Sequence, residues 1–336
     1  MVGNVDPMAS ALAGRRVLVT GGLGFIGSTL AGRCVQLGAR VTIYDCLDPE
    51  SGGNLHNVDG IRDAVHLVQG DIRNLDQLTA CVRDTDIIVH CAAFTSHGSA
   101  MRNPATALDV NCGGTLSLLE AARCSNPAVK LVHVGTSTQV GRMVYSPVDE
   151  LHPEFPLDMY SATKTLSEKS VLVYAAAYGI HATVVRFANV FGPRAHIKTG
   201  RLGFVNYFIG LAMQDRELTV FGDGRQRRNL LYVDDCASAL VTAAVHEATD
   251  GEVFFATGNE ELSVAEIAHT IVEVLRKGTV KHVDWSEGAQ AIDVGDAVIS
   301  NEKIKKRLGW APRHDFRTGL AQTRDYLASR LQDYLR

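Results

Sequence analysis

The chain has 336 residues, of which 46% are hydrophobic, so it can bury a large core, and its length predicts about two domains. Its net charge of −4 and its lack of long basic runs exclude the electrostatic footprint of a nucleic-acid-binding protein. No apolar run approaches about 18 residues, which excludes a transmembrane span.

Residues 1–14 lack the basic start and continuous apolar block of a signal peptide, so we expect them to be a loose leader of a cytoplasmic protein. The seven cysteines are scattered without C-x-x-C spacing, and the 12 histidines lack the spacing of metal ligands. We therefore predict reduced core thiols and no metal site.

A glycine-rich turn between a strand and a helix comes first in the chain. Residues 17–19 predict a buried strand, Gly21, Gly24 and Gly27 come next, and apolar residues then recur at helical spacing. Such glycines allow a tight turn, close approach of a pyrophosphate and close packing of helix on strand. A second strand ends at Asp45, whose carboxylate can bind an adenosine ribose and repels a 2′-phosphate. The pattern predicts a dinucleotide site that favours NAD over NADP.

Four more apolar strands are predicted along the first half of the chain, at residues 65–68, 86–93, 130–134 and 181–187. Helical segments separate them. This alternation predicts a parallel, doubly wound sheet.

Asp71 and Asn111 are polar residues in this region for which the sequence indicates specific contacts. Asp71 either hydrogen-bonds an adenine amino group or caps the helix that begins near Leu75, and the sequence leaves both open. In the helix predicted over residues 104–123, Asn111 stands close to two glycines. These residues lower helix stability, which indicates a packing or hydrogen-bonding role.

The helix predicted over residues 159–178 carries Tyr160 and Lys164 on one face, since they are four residues apart. The amine favours the phenolate and is expected to lower the pKa of Tyr160 toward neutrality. The fifth strand ends in a hydroxyl-rich cluster that contains Ser137, and strand ends of open α/β sheets bind ligands. We predict that Ser137 and Tyr160 meet over one substrate hydroxyl. The alternative interpretation is an ordinary surface pair.

The alternation of predicted strands and helices ends after residue 188, where glycine and proline indicate a loop. Residues 223–232 are rich in charged and aromatic side chains. We predict a dinucleotide-binding domain of residues 15–188 plus 229–257, and a smaller lobe of residues 189–228 plus 258–336. The predicted fold class is α/β, with a doubly wound parallel sheet and a second, smaller α/β lobe.

Several motifs occur between residues 15 and 312 in a characteristic order: GGLGFIG, GDI, HCAA, NCGGT, YSATK, RFANVFGPR, FGDGRQRRNLLYVDD and LGWAP. In this order the chain resembles the extended short-chain dehydrogenases/reductases of the nucleotide-sugar epimerase and dehydratase group. The resemblance implies a Rossmann fold, NAD as cofactor and a nucleotide sugar, UDP-linked, as substrate of the smaller lobe.

The resemblance also assigns roles to individual positions. It implies an NAD site formed by Gly21, Gly24, Phe25, Ile26, Gly27, Asp45, Asp71, Ile72, Ala92, Ala93, Asn111, Tyr160 and Lys164. It implies catalysis by Ser137, Tyr160 and Lys164. It implies substrate contacts from Thr95, Thr138, Asn189, Arg194 and Arg228, although Arg194 as a solvated surface charge is an equal alternative.

The residues directly after the catalytic hydroxyl distinguish the reactions of the family. Members that dehydrate a hexose carry an Asp-Glu pair there, whereas this chain has Thr138 and Gln139, which do not transfer protons at neutral pH. The resemblance therefore favours a 4-epimerase of a UDP-hexose or UDP-hexuronic acid that forms a transient 4-ketose. A UDP-glucuronate decarboxylase or another keto-intermediate dehydratase or reductase is the alternative, and a non-catalytic NAD-binding regulator is a remote one.

Two positions depart from the family pattern. Gly141 comes after Val140 where the family usually has tyrosine, and Asp293 stands where an arginine often makes a second phosphate contact. The family commonly pairs through the two helices predicted near residues 104–123 and 159–178. The resemblance therefore implies a homodimer.

Overall fold

The computed structural model describes residues 7–48, 51–285 and 295–335. The strands are β1 (Arg16–Thr20), β2 (Arg40–Asp45), β3 (Val65–Gln69), β4 (Ile87–His90), β5 (Lys130–Thr136), β6 (His181–Phe187), β7 (Val190–Phe191), β8 (Glu217–Phe221), β9 (Arg227–Asn229), β10 (Leu231–Tyr232), β11 (Val253–Ala256), β12 (Glu261–Ser263) and β13 (Thr279–Val283).

The helices are α1 (Pro7–Leu12), α2 (Phe25–Gln36), α3 (Leu75–Val82), α4 (His97–Arg102), α5 (Pro104–Leu108), α6 (Gly114–Ser125), α7 (Met159–Tyr178), α8 (Phe204–Met213), α9 (Val233–Val245), α10 (Val264–Leu275), α11 (Glu302–Leu308), α12 (Phe316–Ala328) and α13 (Leu331–Leu335). Within residues 7–48, 51–285 and 295–335, no helix is both long enough and apolar enough to cross a membrane.

The central sheet has seven strands in the order β11-β6-β5-β4-β1-β2-β3, and every neighbouring pair is parallel. The chain therefore builds outward from β1 in one direction and then returns to build from β4 in the other. This confirms the predicted doubly wound α/β sheet. The reversal between β1 and β4 leaves a crevice at the carboxyl ends of the strands, where such sheets bind ligands.

Side chains of β1 alternate between two cores, one on each face of the sheet. Val17 and Val19 pack in a cluster with Leu240 of α9, whereas Leu18 packs on the other face with Leu118 of α6. All of these side chains are at most 2% exposed. Both faces are buried because helices cover both, which explains why the strand is a continuous apolar run rather than an alternating one.

A second cluster forms the core of the smaller lobe, with Ile209 of α8 and Ile267 of α10 at its centre. The predicted boundary of this lobe is wrong for residues 302–310. There Ile304 and Trp310 pack into the core beside the central sheet, and the Trp310 indole donates a hydrogen bond to Ser238 Oγ of α9 at 2.8 Å. The C-terminal part of the chain thus returns to the sheet before it enters the lobe again at α12.

The prediction of a loose leader is also wrong for residues 7–14. Helix α1 forms there, and Leu12 is 1% exposed in the core between α1 and α9. Its apolar side chain drives this packing. Residues 1–6 of the predicted leader lie outside the described residues.

The helix predicted over residues 104–123 is interrupted at Asn111. Helices α5 and α6 are joined by a π-helical turn, Asp109–Gly113. The Asn111 carbonyl accepts hydrogen bonds from the hydroxyls of Thr115, at 2.5 Å, and Ser167, at 2.7 Å. The Asn111 amide donates to the Phe94 carbonyl at 3.2 Å and to Thr163 Oγ1 at 3.0 Å. The predicted hydrogen-bonding role of this residue therefore takes the form of a link between α6, α7 and the segment after β4.

Candidate active site

A cavity of about 610 Å³ opens at the carboxyl ends of the strands. The segments after β1, β2, β4 and β5 form its floor, with Gly21, Asp45, Ala92 and Thr136 on the wall. The smaller lobe closes the other side through Phe204 at the start of α8. The cavity thus lies at the reversal point of the sheet and between the two cores.

The glycine turn fits a pyrophosphate. Gly21 has φ +68°, and a Cβ there would lie 2.7 Å from the Ala92 nitrogen. A Cβ on Gly27 would overlap the Gly21 carbonyl oxygen. The first intrahelical bond of α2 runs from Ser28 N–H to the Gly24 carbonyl, so the preceding N–H groups have no acceptor within the helix. This cradle of backbone donors and bare Cα atoms is what a dinucleotide phosphate requires.

We expect Gly27→Ala to destabilise the protein by about 1–3 kcal/mol and to weaken NAD binding, because the added methyl forces the turn away from the helix. Gly32→Ala is the matched control, since Gly32 lies in the same helix with no atom within 4 Å of a built Cβ. It should stabilise the protein by up to about 1 kcal/mol. Urea unfolding and NAD titration measure both effects, and equal behaviour of the two variants contradicts the prediction.

Asp45 ends β2 on the cavity wall and is 8% exposed. Burial raises the pKa of its carboxyl group, while hydrogen bonds from two backbone N–H groups oppose that rise. Leu23 N–H donates to Oδ2 at 2.9 Å and Leu47 N–H donates to Oδ1 at 2.8 Å. These bonds hold the carboxylate in one orientation toward the cavity.

Asp71 also lines the cavity, and the structure rules out one of its two interpretations. Asn74 rather than Asp71 caps α3, by accepting a hydrogen bond from Gln77 N–H at 3.1 Å. Asp71 instead pairs with Arg73, whose Nη2 lies 2.5 Å from Oδ2, and this hydrogen bond lowers the pKa of the carboxyl group. The capping alternative is therefore excluded.

Thr136 is the hydroxyl residue of this cluster that acts on Tyr160. It is the last residue of β5, and its side chain acts to lower the pKa of the Tyr160 phenol. Thr136, Thr138 and Tyr160 line the cavity, whereas Ser137 begins the turn after β5 and is not part of that wall. The predicted catalytic role of Ser137 stays a prediction.

Burial raises the pKa of Tyr160 to about 12, and the Thr136 hydrogen bond only partly opposes this. The expected lowering of this pKa by Lys164 is therefore wrong, and the phenol is protonated at neutral pH.

Lys164 lies on the cavity wall and is 4% exposed. Its Nζ is 3.2 Å from Nε2 of His133, which lies in β5. Burial and the nearby Lys164 hold the pKa of His133 well below its usual range, so the imidazole is neutral and accepts from the ammonium group. Burial also lowers the pKa of Lys164, to about 8. His133 thus fixes the amine one helical turn from Tyr160.

We expect Lys164→Met to stabilise the cofactor-free protein at pH 7 by up to about 3 kcal/mol, because the pKa of Lys164 is about 8 when folded and 10.5 when unfolded. Folding therefore disfavours the ammonium form of Lys164. The full loss of stability applies below pH 8, and none applies above pH 10.5. Urea unfolding at pH 7 and above pH 10.5 should show the gain at pH 7 only. Lys306→Met, at a side chain 75% exposed, is the control and should change little. A variant less stable than wild type at pH 7 contradicts the prediction.

Most predicted cofactor and substrate positions lie on the cavity wall. The wall includes Gly21, Gly24, Phe25, Ile26, Gly27, Asp45, Asp71, Ile72, Ala92, Ala93, Thr95, Thr138, Tyr160, Lys164 and Asn189. Asn111 is not among them, since its side chain links α6, α7 and the segment after β4.

Two predicted arginines lie away from the wall. The Arg194 guanidinium stacks over the Tyr326 ring, 5.5 Å from its centroid, and Nε donates to the Asn57 carbonyl at 3.1 Å. This side chain therefore ties the smaller lobe to the sheet domain. Arg228 donates from Nη1 to the Gly295 carbonyl at 2.5 Å. Its predicted phosphate contact stays a prediction.

The structure explains one departure from the family pattern. Gly141 has φ +67°, and a Cβ there would overlap the Phe155 carbonyl oxygen, so a tyrosine at this position cannot be accommodated. The second departure, at Asp293, lies outside the described residues.

Gln139 faces away from the cavity. It is 0% exposed, and its Nε2 donates to Glu168 Oε2 of α7 at 2.9 Å. The same carboxylate binds Arg186, from Nε at 2.8 Å and from Nη2 at 2.5 Å. Gln139 thus belongs to a buried ion-pair network behind the site.

Sequence reasoning missed His97 and Asp158. His97 lines the cavity at the start of α4, its Nδ1 is 2.8 Å from Asp158 Oδ2, and its ring centroid is 4.7 Å from that of Tyr160. Asp158 caps α7 by accepting from Ser161 N–H at 2.9 Å. An aspartate at position 158, directly before the predicted helix, is a signal for an N-cap in the sequence. Nothing in the sequence placed His97 beside it.

A family profile described as "NAD dependent epimerase/dehydratase family" matches residues 17–256. The chain belongs to this family. It is 31% identical over 314 residues to a putative UDP-glucose 4-epimerase of Methanocaldococcus jannaschii, covering 93% of this chain and 98% of that protein. It is 30% identical over 319 residues to a dTDP-glucose 4,6-dehydratase of Mycolicibacterium smegmatis, covering 93% and 92%.

The fold of this epimerase/dehydratase family member is similar to a crystal structure of UDP-glucose 4-epimerase with UDP-glucose from Thermotoga maritima. The TM-score is 0.84 at 28% identity, with 94% of this chain and 99% of that chain covered. The protein is thus an enzyme of the nucleotide-sugar epimerase/dehydratase family with NAD as cofactor. The glycine cradle and Asp45 are the residues that fit the dinucleotide.

Proposed function

We propose that the enzyme is an NAD-dependent 4-epimerase that inverts C4 of a UDP-hexose or UDP-hexuronic acid through a transient 4-ketose. The observation that carries this proposal is the meeting of Tyr160, Thr136 and Lys164 on one part of the cavity wall, without a carboxylate in the residues directly after Thr136. Epimerisation needs one acid–base group at the sugar O4, and this arrangement supplies it.

When bound, NAD accepts and returns the hydride of C4. Tyr160 takes the proton of the sugar O4, and the Thr136 side chain acts to lower the pKa of the phenol and so favours its phenolate. Because burial raises the pKa of Tyr160, the phenolate forms only with cationic charge beside it. Lys164, one helical turn away, supplies part of that charge. After the ketose has turned over, Tyr160 gives the proton back.

The residues after Thr136 argue against 4,6-dehydration by the family's usual acid–base pair. Ser137 and Thr138 carry hydroxyls that do not ionise near neutral pH. Gln139 is committed to Glu168 in the buried network. Elimination of water or of carbon dioxide would need a different proton-transfer group.

The experiment is incubation of the purified enzyme with UDP-glucose, UDP-N-acetylglucosamine and UDP-glucuronic acid, with products monitored by NMR and mass spectrometry. An isomer of unchanged mass is expected. A product that has lost water or carbon dioxide would overturn the proposal in favour of dehydration or decarboxylation. If every sugar is inert while NAD is bound, the regulator hypothesis replaces it.

A homodimer is part of the proposal. Four apolar side chains on the helices α5, α6 and α7 are between 40% and 58% exposed, namely Leu108, Leu116, Leu166 and Val173. Apolar side chains exposed together on neighbouring helices are typical of a helix-mediated interface. Light scattering tests it, and a monomer contradicts it.

A further inference from the structure

His97 and Asp158 form an ionisable pair beside Tyr160 that the 4-epimerase mechanism does not use. The pair joins the first residue of α4 to the residue that caps α7. Both side chains are partly shielded, with 45% of His97 and 23% of Asp158 exposed. His97 lines the cavity in which Tyr160 and Thr136 lie, in the segment that follows β4.

The bonding of the pair sets the imidazole tautomer. Burial acts to raise the pKa of Asp158, but hydrogen bonds from His97 and Ser161 hold it below its usual value, so the carboxylate is ionised. An ionised carboxylate only accepts, and Nδ1 of His97 must therefore be the donor. In the neutral imidazole, Nε2 then carries the lone pair. Among the described residues, no group is hydrogen-bonded to Nε2.

Asp158 is held in place independently of His97. Its Oδ1 accepts from Ser161 N–H at 2.9 Å, and its Oδ2 accepts from Ser161 Oγ at 3.1 Å. Helix α7, which packs against α4, also carries the charged residues Lys164, Glu168 and Lys169. Arg102 lies in α4 itself, and Arg201 lies in the turn Gly200–Leu202 beside it. A fixed carboxylate that orients an imidazole, with the second nitrogen unpaired, is the arrangement of a general base.

We propose that His97, oriented by Asp158, transfers a proton at a carbon next to C4 of the sugar while C4 is a ketone. The proposal rests on the proposed function, which generates that ketone. A ketone acidifies the neighbouring C–H bonds at C3 and C5. One of these bonds breaks, Nε2 takes the proton, and the electron pair moves onto O4 as an enolate that Tyr160 and Thr136 can stabilise by hydrogen bonding. Return of the proton to carbon restores the ketone.

The test is hydrogen exchange with solvent. The enzyme with NAD is incubated in D₂O with UDP-glucose and, separately, with a UDP-4-ketohexose supplied directly, and deuterium at C3 and C5 is measured by NMR and mass spectrometry. We expect the wild type to incorporate deuterium at one of these carbons. His97→Asn, whose amide can keep the contact with Asp158, should lower the exchange rate by at least about 100-fold.

Two further variants separate chemistry from folding. Asp158→Asn keeps an acceptor for the α7 cap but removes the charge that orients His97, and we expect it to slow exchange about as much. His66→Asn, at an exposed histidine of β3, is the control and should exchange as the wild type does. NAD binding and circular dichroism verify that each variant is folded.

The outcomes are distinct for the two proposals. Inversion at C4 without deuterium in the supplied ketose overturns the role of His97 and leaves the epimerase intact. Exchange of the ketose without turnover of any UDP-sugar overturns the epimerase and supports His97. Equal exchange in the wild type and in His97→Asn also overturns the role of His97.

Discussion

Tyr160→Phe is expected to lower turnover of the accepted UDP-sugar by about 1,000-fold or more while NAD stays bound. The change removes only the phenol oxygen, which is the proposed acid–base group for the sugar O4. The aromatic ring remains, so its contact with His97, at 4.7 Å between centroids, can persist. Turnover is measured by NMR of the sugar and NAD content by absorbance after denaturation.

Tyr178→Phe is the matched control, since it makes the same chemical change in the same helix at a side chain 54% exposed. It should leave turnover unchanged. Thr136→Val should also reduce turnover strongly, whereas Ser137→Ala should not, because Ser137 does not line the cavity. Retention of more than about a tenth of wild-type turnover by Tyr160→Phe would remove this residue from the acid–base role.

Arg186→Met is expected to lower the free energy of unfolding by about 3–5 kcal/mol, the largest effect on stability in this set. Arg186 and Glu168 are 1% and 0% exposed, and Arg186 binds Glu168 through two nitrogen atoms. Removing the guanidinium leaves the Glu168 carboxylate buried with less compensating charge. Lys169, 3.1 Å away, offsets only part of that loss.

The double variant Arg186→Met with Glu168→Leu tests this explanation, because replacing both charges by apolar groups should recover most of the lost stability. Arg16→Met is the control. Its surface pair with Asp86 has an Arg16 side chain 49% exposed, and its loss should change the free energy of unfolding far less than Arg186→Met does. Urea unfolding measures all three, and a double variant as unstable as Arg186→Met contradicts the explanation.

The same network predicts how stability depends on pH. Burial acts to raise the pKa of Glu168, yet its hydrogen bond and charge contact with Arg186 hold it below the ordinary value of 4.5. Its contribution is therefore present above pH 4.5 and is lost as the pH falls through the lower, folded-state pKa. This dependence should be absent from the double variant.

The dinucleotide site could be predicted from sequence because its physics is local. Gly21, Gly24 and Gly27 lie within seven residues, and their roles depend on backbone geometry that glycine alone allows. Asp45 ends the next strand, and parallel pairing of β1 with β2 brings it to the same edge. Short apolar runs and the spacing between motifs are enough to place such residues.

The contacts around Tyr160 were harder to predict than the dinucleotide site. The hydroxyl cluster contains three consecutive candidates, and only the end point of β5 decides that Thr136 and Thr138, rather than Ser137, line the cavity with Tyr160. A shift of one residue along a strand turns a side chain to the other face. Asn111 was expected to contact the cofactor, but a π-helical turn directs it into the link with α7.

By itself, the sequence determined the family, the parallel sheet, the NAD-binding turn and the Tyr160–Lys164 pair, since each depends on residues close together in the chain or on the order of motifs. Only the tertiary structure decided that His133 holds Lys164, that Gln139 turns away to Glu168, and that His97 meets Asp158 beside Tyr160. These contacts join residues 29–61 positions apart. They form because the packing of helices on the sheet brings distant side chains together, and no local pattern encodes that meeting.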